Sequence, residues 1–240
     1  MSNPLAIALH ATGAETASGT GASVDLGDLR SVAKLEFEVS AVSGTLPTLD
    51  VSLETSPTGV TWRQASGFAQ SVAPGLEKLA FGDLDRYLRA KWVIGGTSPS
   101  FTFELAGSAE VVYAGLEDLP SLALPDSVLA DVSEDSRVRQ LLGATGVVDG
   151  YLSGVYSLPL TAWGDDLRRA TAHIAAYDLM VTLGYKPDEY DENIRRRYLD
   201  AIAWLQQVAA RKLAPAGLVD STPTVVEGAS IIYTESKRGW

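Results

Sequence analysis

The apolar residues of this chain alternate every second position up to about Tyr113, then recur with a helical period from Leu116 onward. This switch constrains the fold more than any single motif. A two-residue repeat puts one face of a strand in a core, whereas a repeat of about 3.6 puts one stripe of a helix there. In the first part Leu35, Phe37 and Val39 alternate with Lys34, Glu36 and Glu38, and Leu49, Val51 and Leu53 alternate with Asp50, Ser52 and Glu54. Leu88, Ala90, Trp92 and Ile94 continue the pattern, as do Phe101, Phe103, Leu105, Ala109 and Val111. Turn signals at Ser43–Pro47, Ser56–Gly59 and Gly95–Gly96 separate these runs. Several short half-buried strands spaced in this way predict an antiparallel β-sandwich, jelly-roll-like.

The second part reads as helices. Glu134–Leu152 forms one, with Ser133 as its N-cap. Asp165–Leu183 places Leu167, Ala170, Ile174, Tyr177 and Val181 on one stripe and is stopped by Gly184. A third helix opens at Pro187 and Asp188, turns Ile194, Tyr198, Ala201, Ile202, Leu205 and Val208 to one side, and closes before Pro215 and Gly217. The remainder, rich in Thr, Val and Ile, reads as an extended arm. The expected organisation is α+β and multidomain: a β-sandwich over 1–114, a small all-α domain over 115–214 and a C-terminal arm over 215–240.

Composition narrows the chemistry. There are no cysteines, which removes disulfide scaffolds and thiolate metal sites, and the two histidines, His10 and His173, lie far apart in sequence. His10 sits near a chain start expected to be mobile, and a lone histidine such as His173 is more often packed or surface-exposed than a ligand. A net charge of -11 disfavours wrapping DNA, which needs many cationic phosphate contacts, but suits a passage through which DNA slides. No apolar run approaches the roughly 20 residues of a membrane span, and MSNPLAIALHATG lacks a basic leader, so synthesis in the cytoplasm and no membrane partner are expected.

The motif candidates are weak as chemistry. Ser31-Val32-Ala33-Lys34 matches S-x-x-K, but it opens a strand, where residues three apart face opposite ways. Gly13–Gly21 lacks the lysine of a phosphate-binding loop. Of the acidic clusters Asp83/Asp85, Asp165/Asp166 and Asp188–Glu192, the last two begin helices, where carboxylates stabilise the macrodipole by about 0.3–1 kcal/mol. Gly143, Gly146 and Gly150 share a helical stripe, at about 1 kcal/mol each relative to alanine, and read either as close approach by a neighbouring element or as a break in the helix. Arg168, Arg169 and Arg195–Arg197 read as solvated faces near acids, or as subunit-interface or channel residues. Leu199 lies off its helix's apolar stripe and Trp204 at its border, which hints at a second contact surface. No catalytic residue, cofactor or metal is expected, and the chain is read as a non-enzyme.

One resemblance spans about the C-terminal half. Its motifs are Leu116-Glu117-Asp118-Leu119, Val148-Asp149-Gly150-Tyr151-Leu152 and Tyr156-Ser157-Leu158-Pro159-Leu160, then Leu167-Arg168-Arg169-Ala170 leading to Asp178-Leu179. Arg197-Tyr198, Ala201, Trp204-Leu205, Ala210-Arg211-Lys212-Leu213 and the ending YTESKRGW complete it. This pattern resembles the phage head–tail connectors typified by Mu-like Gp36, similar in fold to the adaptors of HK97-like and SPP1-like phages. The resemblance implies a structural virion protein of the neck that forms a ring with itself, a dodecamer, under the portal vertex. Its implied partners are the portal protein on one side and a stopper or tail-completion protein on the other, with DNA only as passing cargo. It also implies an arm that adds a strand to a neighbour; here the candidates are Val225, Val226, Ile231, Ile232, Tyr233, Lys237, Arg238 and Trp240. The sheet domain is additional to that family. Through Ser56–Trp62 and Phe81–Trp92 it resembles accessory β-sandwiches of phage structural proteins. The alternative is therefore a carbohydrate- or host-surface-binding virion module anchored by its helices, with Trp62, Tyr87 and Trp92 as candidate ring platforms.

Overall fold

The structure is a computed structural model that describes residues 4–184 and 189–219. Seven antiparallel strands come first: β1 Leu5–Glu15, β2 Gly19–Thr20, β3 Val24–Asp25, β4 Arg30–Ser56, β5 Arg63–Gly67, β6 Gly75–Phe81 and β7 Tyr87–Val111. A π-helical turn, Leu119–Ala123, leads to α1 Asp126–Leu129, α2 Glu134–Leu152, α3 Asp165–Thr182 and α4 Glu189–Ala209. The expected layout, antiparallel β followed by helices, is the observed one. The strands form a single sheet.

β4 and β7 are its spine, paired from Arg30↔Val111 to Ser56↔Tyr87. The first half of β4 carries β6 along its outer side and the second half carries β5, while β1 flanks the later half of β7 and β2 and β3 flank its earlier half. Two of the expected turns are therefore not strand ends. Ser43–Pro47 and Gly95–Gly96 face each other across the pair, with Thr45↔Thr97 and Thr48↔Gly95 in register, and both strands run on. Gly44, Leu46, Gly96 and Ser98 take positive φ there, at 110°, 50°, 112° and 47°. The residues that make a tight turn also make a bulge, and facing bulges bend both strands at one level.

The bend brings the inner faces of the two halves together. Phe37 and Phe103 belong to one half and Trp92 to the other, and the Trp92 and Phe103 rings meet edge to face at 5.8 Å. The alternation read from sequence holds on both sides of the bend: Leu35, Phe37, Val39, Leu49, Val51, Leu53, Leu88, Ala90 and Trp92 are all buried in this core. His10 lies in the same core, stacked on Phe103 at 4.0 Å, and not at a loose chain start. Gly19 answers to crowding, because a Cβ there would lie 2.6 Å from the Trp92 ring.

α2 has the bounds expected of it, and Ser133 Oγ accepts from Ser136 N at 3.2 Å as its cap. On α3, Leu167, Ala170 and Ile174 are buried, but Val181 is half exposed, because the helix runs past its partners in its last turn. On α4, Ile194, Ala201, Leu205 and Val208 are buried as expected; the proposed opening at Pro187 and Asp188 lies outside the described residues. α2 is unbroken, and a Cβ at Gly143, Gly146 or Gly150 would meet nothing within 4 Å among the described residues, so neither reading of that stripe holds among them. The second core is built jointly by the sheet's end (Val32, Ala80, Val111–Ala114) and the helices (Leu141, Val148, Leu167, Ile174, Leu205).

The glycines give a paired test of this packing. Gly143→Ala should raise stability by about 0.5–1 kcal/mol, since a helix-interior alanine in open space restricts the unfolded chain at no steric cost. Gly107→Ala should lower it by about 1–3 kcal/mol, because its Cβ would overlap the Lys34 carbonyl across the β4–β7 pair. Urea midpoints measure both, and the opposite sign in either variant would contradict the packing.

Candidate functional site

The junction of sheet and helices is the most constrained part of the molecule. Tyr113 follows β7 and is buried. Its hydroxyl donates to Asp149 Oδ1 at 2.5 Å, its amide donates to Thr145 Oγ1 at 3.3 Å, and its carbonyl accepts from Trp163 Nε1 at 2.9 Å. The Trp163 ring sits edge-on to it at 5.0 Å. Burial first, and then the bond to Asp149, push the phenol well above its ordinary value, so it remains a protonated donor at any physiological pH. The first turn of α2 reaches back to the sheet: Asp135 Oδ1 accepts from Ala80 N at 2.8 Å, and Glu134 Oε1 accepts from Gly82 N at 3.1 Å. Arg139 binds Asp135 and holds its carboxyl below the usual range.

Beside this junction lies an open cleft of about 470 Å³. Half-buried Leu29, Leu84, Leu116 and Trp163 supply its apolar surface, and Asp28, Asp83 and Glu117 stand at exposed positions around it. At its back Arg168 Nη2 donates to Asp118 Oδ1 at 2.6 Å; the Asp118 side chain is only 3% exposed and also accepts from Gly115 N at 2.9 Å. Arg168 further meets Asp165 at 3.1 Å. Thr161 and Ala162 form part of the wall, and the described chain closes on them: Thr161 N donates to Val219 O at 2.8 Å and Val219 N to Ala162 O at 2.9 Å. Just before this, Ala216 N donates to Asp166 Oδ2 at 2.9 Å.

The nominated residues thus fall in different places. Arg168 clamps the buried Asp118 while 41% of its side chain stays exposed at the cleft. Arg169 is exposed at a groove between α3 and α4, beside His173, Asp200 and Trp204. Arg195 and Arg196 both reach Glu192, at 3.1 and 3.7 Å, on the outer side of α4, where Leu199 is 46% exposed. Val225, Val226, Ile231, Ile232, Tyr233, Lys237, Arg238 and Trp240 lie outside the described residues. His173 is packed: Nε2 lies 3.3 Å from the Leu122 carbonyl, and burial pulls its pKa down.

The remaining motifs have structural partners. Asp83 and Asp85 share Arg63, at 2.9 and 3.1 Å. Lys34 of the S-x-x-K run pairs with Glu110 at 2.5 Å. Among the ring platforms, Trp92 is buried, as its alternation implied, and Trp62 has the Arg89 guanidinium 4.0 Å above its ring, fixed there by Glu54. No group of three or more His, Asp or Glu among the described residues could hold a metal ion, and no helix among them is long and apolar enough to cross a membrane. Sequence reading missed Tyr113, Asp118 and Asp135 as structural anchors. Their partners, Asp149, Arg168 and Ala80, are distant in the chain, and only the quoted Leu-Glu-Asp-Leu run touched one of them.

Comparison with known proteins bears on the helical half. The family described as Bacteriophage Mu, Gp36 matches residues 114–230. Gene product J of Escherichia phage Mu is 30% identical over 109 residues, which are 45% of this chain and 72% of that protein. Among solved structures, a chain of the T13 particle of infectious bursal disease virus aligns over 46% of this chain and 31% of its own length, at 10% identity and a TM-score of 0.36. The PBSX exported protein XepA aligns over 46% of this chain and 37% of its own length, at 22% identity and a TM-score of 0.30. The chain thus spans about a third of those solved chains, and scores this low do not establish a shared fold.

Two measurements test the site chemistry. Arg168→Met should cost about 1.5–3 kcal/mol, because it strips a charged partner from a buried carboxylate; an unchanged urea midpoint would show that the pair is incidental. His173 has a folded-state pKa below its unfolded value, so its contribution is present above about pH 6.5 and is lost as pH falls toward the folded pKa. His173→Gln should flatten that acid-side slope of stability; an unaltered slope would exclude the histidine as its source.

Proposed function

This chain belongs to the bacteriophage Mu Gp36 family, and from that premise we propose that it is a structural virion protein, the head-to-tail adaptor of the neck. In this reading copies form a ring, a dodecamer, between the portal protein and a stopper or tail-completion protein, after synthesis in the host cytoplasm. The observation that carries it is that the family match over 114–230 takes in the π-helical turn, α2, α3 and α4, whose buried faces supply most of the second core, with the sheet's end completing it.

Other features support the reading. The outer side of α4 offers Leu199 between charged neighbours, an arrangement suited to packing against another subunit with ionic register at the rim. The arm residues Val225–Thr234 fit strand addition to a neighbour, in which main-chain hydrogen bonds supply affinity. The sheet half, clamped to the helices through Tyr113, Asp135 and Glu134, suits a rigid projection from the ring. The acidic pair Asp83 and Asp85 is engaged by Arg63 in a structural clasp. With a net charge of -11, DNA enters this reading only as passing cargo.

Co-expression with the portal protein of the same genome, followed by electron microscopy, tests the proposal. Full-length protein should sit as a ring on the portal, and failure to co-purify with it would sink the adaptor reading. Leu199→Asp combined with Arg196→Glu should lower ring occupancy about tenfold, equivalent to about 1.4 kcal/mol per contact, while leaving the monomer's urea midpoint unchanged. Removal of Ser221–Trp240 should leave a folded monomer that no longer docks; retained docking would refute the arm.

A further inference from the structure

We propose that in the unassembled subunit, before its arm engages any neighbour, the acid-rimmed cleft at the sheet–helix junction is the docking site for the chain's own segment Ile231–Trp240. This concerns the single subunit and does not depend on the adaptor reading. Three observations converge on it. The cleft exposes apolar surface from both halves of the molecule, with Leu29 and Leu84 from the sheet side and Leu116 and Trp163 from the helical side. Its rim is acidic: the side chains of Asp28 and Asp83 are each 78% exposed, and Glu117 stands beside them. Arg63 and Arg86 reach those aspartates at 2.9 and 3.7 Å, and both carboxylates nonetheless keep most of their surface open to solvent. Finally, the described chain leaves from the cleft's wall, where Val219 pairs in antiparallel fashion with Ala162.

The sequence beyond Val219 matches the cleft in order and in kind. Ile231, Ile232 and Tyr233 supply apolar and aromatic bulk, and Lys237 and Arg238 follow with positive charge for the rim. Extended chain advances about 3.3 Å per residue, so the stretch from Val219 to Ile231 spans roughly 40 Å and can double back into a cleft that begins beside its own exit. Tethering makes the encounter intramolecular, at an effective concentration near the millimolar range for a short linker. Because the cleft's walls come from both sheet and helices, a docked segment straps the two together.

The absence of native cysteines allows a direct test in the full-length chain. Two double variants are compared: Glu117→Cys with Ser236→Cys, and Gly143→Cys with Ser236→Cys, the second pair using the open face of α2. Both pairs are repeated with Asp28→Lys added, and a preference that this change removes reports docking and not mere tethering. Under mild oxidation the Glu117 pair should form its disulfide within the monomer about tenfold faster than the Gly143 pair, as read on non-reducing gels. Equal rates, or a disulfide found only between two copies, would overturn the proposal. As a second readout, Asp28→Lys with Glu117→Lys should speed tryptic cleavage after Lys237 and Arg238 severalfold; unchanged cleavage would overturn the role of the acidic rim. Loss of portal binding, the failure mode of the adaptor reading, leaves both readouts intact.

Discussion

A chain that passes from a sheet ladder into helices must find new partners for the backbone groups that leave the ladder, and it must do so inside a core where water cannot serve. Tyr113 meets that demand. Its amide goes to Thr145, its carbonyl to Trp163 and its hydroxyl to Asp149, so one residue ties the end of β7 to α2 and to the loop before α3. Since burial keeps the phenol protonated, this tie does not respond to ordinary changes in pH. The orientation of the sheet relative to the helices follows from it. A junction lacking those three bonds would leave polar groups buried without partners, at about 1–3 kcal/mol each.

The carboxylates at the start of α2 extend the same logic. Glu134 and Asp135 sit where a helix N-terminus favours negative charge, and there they accept amides from the end of β6 and the residue just past it. The open side of β6 would otherwise present unpaired donors, the template on which foreign strands add. A single pair of side chains thus serves helix stability and edge protection together. On the other side of the second core, Arg168 holds the buried Asp118, whose second oxygen caps Gly115 N, and so fixes the turn through which the chain enters the helices.

Patterns confined to one element were legible in the sequence; features that depend on two distant segments were not. The bounds and cap of α2 and the parity of Leu35, Phe37, Val39, Leu49, Val51, Leu53, Leu88, Ala90 and Trp92 follow from local periodicity. The facing bulges at Gly44–Leu46 and Gly96–Ser98 were read as turns, because glycine signals positive φ without saying whether the chain reverses or merely bends. The tie of Arg168 to Asp118 was not legible because the two lie 50 residues apart, whereas its i,i+3 neighbour Asp165 was in plain view. The glycine stripe of α2 fitted either a close neighbour or a break, yet the helix is unbroken and none of the described residues covers the stripe. A helical period identifies a shared face but not what covers it.

The distribution of charge bears on any passage for DNA. The arginines that would be the natural phosphate contacts are largely spent within the subunit, with Arg168 on Asp118 and Asp165, and Arg195 and Arg196 on Glu192. An arginine already clasped by a carboxylate gains little by exchanging it for a phosphate, so these pairs add little to the counterion release that drives DNA binding. The net charge of -11 then acts across the whole surface as a weak, salt-screened repulsion. Internal pairing of these arginines and an acidic excess are therefore two parts of one physical condition, a surface with little hold on a polyanion.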